Sequence, residues 1–83
     1  MSTTWRREIE RARGTDGPII HCTMSEAELD TEFDNGFGGS EGRPFTAWSE
    51  RRVYFPIVYD GSEWSGSAPR DPCGEALEHQ GGE

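Results

Sequence analysis

The run RVYFPIVYDGSEWSGSA, residues 52–68, admits few conformations. Asp60-Gly61 sits between two stretches of alternating pattern, and an Asp-Gly pair takes the positive φ angles of a two-residue type I′ hairpin turn. Such a turn sets the register, pairing Tyr59 with Ser62, Ile57 with Trp64, Phe55 with Gly66 and Val53 with Ala68. Pro56 fits this arrangement because residues 55, 57 and 59 bond to the Trp64 strand. Position 56 then faces the other neighbour, where proline has no N–H to offer. That neighbour is the stretch Phe45 to Trp48, joined through a tight turn at Ser49-Glu50-Arg51 and ending opposite Pro56. A three-stranded antiparallel meander follows, and Ile19 to Cys22 is apolar enough to be a further strand. Alternation places Val53, Phe55, Ile57, Tyr59 and Trp64 on one face, the expected core.

Two helices are expected to cover that face. Residues 4–13, TWRREIERAR, repeat Trp5, Ile9 and Ala12 at helical spacing, with Ser2, Thr3 or Thr4 as cap and Gly14 as stop. The second helix is predicted over 26–34. Ser25 and Glu28 form an S-x-x-E capping box, Met24 and Leu29 a hydrophobic staple, and Asn35-Gly36 a left-handed end. Leu29 and Phe33 would be buried with Trp5 and Ile9. The fold class is therefore α+β: a small antiparallel sheet of three to four strands, covered on one face by two helices. With 83 residues, only about 60% of the unfolded chain's surface can be buried, so one domain is expected over 1–69. Residues 70–83 read as a mobile polar tail.

Charge is the strongest global signal. Sixteen acids face eight bases, all arginine, for a net charge of −8, and no base lies between Gly14 and Gly42. On a 26–34 helix, Glu26, Asp30 and Asp34 form one row and Glu28 with Glu32 another. Like charges four residues apart weaken a helix, which points either to solvation or to a binding role. Glu26, Glu28, Asp30, Glu32 and Asp34, with Glu41 beside them, are thus the candidate partner-binding residues. The second candidate is an aromatic and basic patch on the remaining sheet face, Trp48 and Tyr54 with Arg51 and Arg52. Val58 would lie on that face too.

Other chemistries fit poorly. A calcium loop from Asp30 to Glu41 has Asn35 where glycine is usual and no second helix after it. The GFGGSEG run precedes no Lys-Ser/Thr pair and carries Glu41 where a phosphate needs positive potential. That run instead reads as a chain reversal, with Phe37 plugging the core edge or, as the alternative, exposed as an anchor for a partner. Cys22, Cys73, His21 and His79 have no zinc spacing, and whether the cysteines pair is left open. No nucleophile–base pair is apparent. The expectation is a non-enzyme without metal or cofactor. No apolar run reaches membrane-spanning length and MSTTWRREIE carries no signal-peptide core, so a cytoplasmic location is expected.

The acidic EAELDTEFDNG segment beside the compact FTAWSERRVYFPIVYDGSEW meander resembles the small acidic proteins that phages encode against host defences, anti-CRISPR proteins among them. The resemblance implies a Cas effector or surveillance complex as partner, and blockade of DNA binding, with the carboxylates standing in for phosphates as a DNA mimic. A basic protein or nucleoprotein would be bound, nucleic acid itself would not, and the chain would be a monomer or weak dimer. The alternative is a small structural or adaptor domain, or a dimerising regulator, whose acidity serves solubility or salt adaptation.

Overall fold

The computed structural model describes residues 2–34, 42–59 and 62–80. In these segments the order is β1 (Ser2–Thr4), α1 (Trp5–Arg13), β2 (His21–Cys22), α2 (Glu26–Leu29), β3 (Glu32–Asp34), β4 (Ala47–Trp48), β5 (Arg52–Tyr59) and β6 (Ser62–Pro69). A four-stranded antiparallel sheet runs β2-β4-β5-β6, and β1 pairs with β3 in a separate two-stranded sheet. This is the small α+β fold expected.

The long hairpin has the register set by its turn residues: Tyr59 faces Ser62, Ile57 Trp64, Phe55 Gly66 and Val53 Ala68. On the other side of β5, Ala47 faces Tyr54 and Trp48 faces Val53, so the β4 ladder stops short of Pro56. Ser49 N–H donates to the Arg52 carbonyl at 3.0 Å and closes the tight turn. The Ile19–Cys22 stretch joins the meander at its edge, with His21 opposite Trp48 and Cys22 opposite Ala47.

α1 begins as its residues dictate. The Thr4 side chain accepts from Arg7 N–H, and Gly14, at φ 54°, returns its own N–H to the Glu10 carbonyl. A positive φ of this kind costs glycine nothing, which makes it a natural stop. Its apolar stripe is buried through Trp5 and Ile9, but Glu8 is buried beside them. That carboxylate is held by the Thr3 hydroxyl at 2.7 Å and by Arg11 at 3.1 Å. A buried charge survives only with partners of this kind.

Two expectations are corrected. The second helix ends at Leu29, not at residue 34: Asp30 leaves helical geometry at φ −94°, ψ 2°, and 32–34 form a strand. The cause is tertiary. Phe33 faces Thr3 across the β1–β3 ladder, and its ring packs 4.7 Å from that of Trp5. Extending the helix would also align Glu26, Asp30 and Asp34, a repulsion the strand avoids. The helix-ending Asn35-Gly36, and Phe37 with the glycine run, lie outside the described residues.

The second correction concerns the faces of the sheet. The core comprises Trp5, Ile9, Met24, Leu29, Phe45, Ala47 and Tyr54, with Cys22 and Phe33 against it. Register aligns Cys22, Ala47, Tyr54 and Ser67 in one cross-strand row, and this row faces the helices. α1 packs mainly on β6, where the inward positions Glu63 and Ser65 are buried. Short serines let a helix approach more closely than an aromatic row would. The Val53, Phe55 and Trp64 side, expected to be the core, is the outer face instead.

Candidate functional site

The acidic segment was expected to hold its carboxylates outward on one rigid helix. Arg6, in the first turn of α1, reaches across and bonds both Glu26 and Asp30, its Nε lying 2.6 Å from Asp30 Oδ1. The pairing holds the Asp30 carboxyl below its usual range and raises the arginine. Glu28 is engaged twice. Its Oε1 accepts from Ser25 N–H at 2.8 Å, completing the capping box, and its Oε2 accepts from Arg43 at 2.6 Å. The Ser25 N–H first, then Arg43, hold its carboxyl low. Glu32 and Asp34 are exposed on β3, opposite Thr4 and Ser2. Glu41 lies outside the described residues. Glu26, Glu28 and Asp30 are therefore engaged by the chain's own groups, and the continuous helical row does not form.

The proposed aromatic and basic patch is not brought together. Tyr54 is fully buried on the helix-facing side, whereas Trp48 lies in the opposite row beside Val53. Arg52 is half-buried, donating to Ser67 Oγ at 3.0 Å and to both oxygens of Glu75 at 3.2 and 3.3 Å. Arg51 is exposed. The Arg52–Glu75 pair and the Arg70 N–H bond to the Arg51 carbonyl tie the start of the C-terminal segment to the sheet. From residue 71 to 80 that segment is exposed and carries neither helix nor strand.

Tyr54 belongs to a polar cluster that sequence reasoning missed. Its hydroxyl donates to Asp16 Oδ2, and Ser49 Oγ donates to the same oxygen at 2.5 Å. Burial, and then the neighbouring Asp16 carboxylate, push the Tyr54 hydroxyl up to about 12. The Ser49 and Tyr54 hydroxyls hold Asp16 low. Arg13 donates to the Asp16 and Gly17 carbonyls at 3.0 and 3.1 Å, so α1, the 14–18 turn and the β4–β5 turn are bonded into one corner. Ser49 and Tyr54 are fully buried in this corner, and Arg13 Nε is buried there without a hydrogen-bond partner among the described residues.

Between α1, residues 18–22 and α2 lies a groove of about 580 Å³, with Ile9, Ile19 and Leu29 among its apolar walls and Arg6, Glu10, Arg13 and Glu26 among its charged ones. Cys22 lines it, half-buried; neither it nor the exposed Cys73 is in a disulfide. Among the described residues no cluster of three His, Cys, Asp or Glu is placed to hold a metal ion. None of the described helices is long and apolar enough to cross a membrane.

The outer face of the sheet has the most distinctive composition. One row is His21, Trp48, Val53 and Ala68; the pairs Phe55–Gly66, Ile57–Trp64 and Tyr59–Ser62 extend it along the hairpin. None of these ten positions carries a charge, although 29% of the chain is charged and about three would be expected there. Tyr59 is 50% exposed, and Trp48, Val53, Phe55 and Trp64 are half-buried. The His21 and Trp48 rings lie 5.2 Å apart. Ile57 is buried because it lies across Gly66, where an added Cβ would stand 2.2 Å from Ile57 Cδ1. The result, among the described residues, is an uncharged surface rich in aromatic side chains.

The fold and this surface define a two-layer α+β domain, helices on one side of a sheet and aromatic side chains on the other. Beyond that class, no family model matches the chain, and neither a curated protein nor a solved structure matches it.

Proposed function

We propose that this protein is a non-catalytic binding domain whose interface is the outer face of the four-stranded sheet, its acidic surplus serving solubility. The observation that carries the reading is the absence of charge from ten adjoining positions rich in Trp, Phe and Tyr. Interface cores are depleted of charge and enriched in aromatics, and Trp and Tyr dominate binding energy where they are buried. Contiguous exposed apolar patches mark interaction sites on protein surfaces.

Blockade of a nucleic-acid-binding partner through acid, as in an anti-CRISPR inhibitor acting on a Cas effector, is the second reading. The net charge of −8 and the exposed Glu32 favour it. Against it stand Glu26, Glu28 and Asp30, which bind the chain's own Arg6 and Arg43. A basic partner would first have to displace these arginines.

The primary reading is tested with the dilute full chain and a hydrophobic fluorescent dye. The dye should bind, acrylamide should quench Trp48 and Trp64, and the double variant Tyr59→Glu, Ala68→Glu should lose dye binding with an unchanged circular dichroism spectrum. A wild-type chain that binds no dye and shields its indoles would rule the interface out.

A further inference from the structure

We infer that the occupant of the outer face is a second copy of this chain, packed sheet on sheet in a two-fold dimer. The inference rests on the reading of that face as an interface and names its partner. Its first support is shape. Ile57 lies over Gly66 at the centre of the face and fills the space that the glycine leaves. A twisted sheet has a ready complement in a sheet of the same twist, and two identical sheets satisfy that condition; such layers stack about 10 Å apart.

The second support is charge. Each copy carries −8, so contact through the acidic β3 edge would oppose like charges. On the outer face two copies meet without a single carboxylate among the paired strand positions. A two-fold contact requires one patch to suit itself, and an uncharged apolar patch does so.

Area sets the strength. β5 and β6 are eight residues each. β2 and β4 add only two residues each, so at about 3.3 Å per residue and about 4.8 Å per strand the footprint is on the order of 300 Å². This is below the roughly 600 Å² per partner at the lower end of stable interfaces, which corresponds to a weak dimer. Because the interface is neutral and the copies repel, added salt should tighten the dimer. Binding of an acidic surface to a basic partner would respond in the opposite sense.

Sedimentation equilibrium of the full chain, from about 1 µM to several hundred µM at low and high salt, tests the inference. The mass should rise from 9.3 kDa toward twice that value, at lower concentration in high salt. Tyr59→Glu and Ala68→Arg, each checked for native circular dichroism and melting, should shift the midpoint at least tenfold. A dimer indifferent to both variants would use another face and overturn the inference. A 9.3 kDa mass at every concentration, with Trp48 and Trp64 open to acrylamide, would overturn the second copy but leave the face as an interface for another molecule. The same mass with both indoles shielded would overturn both readings.

Discussion

Asp16 accepts from two hydroxyls on one oxygen, and that arrangement ties the stability of the protein to pH at both ends of the scale. The folded carboxyl of Asp16 is held low, so its contribution is complete above the carboxylate range and is lost as pH falls through the folded value. Tyr54 behaves oppositely. Its folded value near 12 lies above the ordinary 10, so stability is full below pH 10 and declines as the unfolded chain alone ionises. Two units correspond to a loss on the order of 2–3 kcal/mol by pH 12. In Tyr54→Phe, denaturant titrations should show a drop of about 1–3 kcal/mol at neutral pH and a smaller alkaline decline. Close approach by glycine gives a second test. A Cβ at Gly42 would stand 2.6 Å from the Trp5 ring, and at Gly66 it would stand 2.2 Å from Cδ1 and 3.0 Å from Cγ1 of the buried Ile57. Trp5 is fixed by Phe33, Phe45 and the bond from its Nε1 to the Arg43 carbonyl. Thermal melts should therefore show Gly42→Ala and Gly66→Ala each destabilised, by about 1–3 kcal/mol.

Among the elements, α2 departs furthest from its sequence pattern. The capping box and staple fix where it begins, and both are present. Its end depends on β1, which claims Phe33 for the Trp5 cluster, and on Arg6, which collects Glu26 and Asp30. Asp30 is thus a structural anchor between α1 and α2, and its charge reversal should not leave the fold untouched. Asp30→Lys should lower the melting temperature by placing two cations together, and the decrement should shrink at high salt because the pair is exposed. Equal melting curves for variant and wild type in dilute buffer would show that the bridge contributes nothing. β5 and β6 depart least, because a two-residue turn leaves one register open to them and their partners are adjacent in the chain.

At the scale of the whole molecule, the sheet has one face under the helices and one that no described helix covers, and that second face defines the proposed interface. Its salt response separates the readings, since a neutral contact between like-charged copies strengthens as acid–base contacts weaken. The sequence by itself determined the hairpin register, the accommodation of Pro56, the start and stop of α1 and the start of α2. Each rests on residues a few positions apart, whose steric and hydrogen-bonding preferences act locally. Tertiary structure alone decided the rest. Alternation in β5 separates Val53, Phe55 and Ile57 from Tyr54 and Val58, but it does not say which set the helices cover. That choice follows from the short inward serines of β6, from the part-buried bond between Tyr54 and Asp16, and from Glu8 needing Thr3 and Arg11. Likewise, six carboxylates can be counted in a sequence, whereas the arginines that engage Glu26, Glu28 and Asp30 arrive from 15 to 24 residues away. Electrostatic pairing acts through space, and only the folded chain brings those charges within reach.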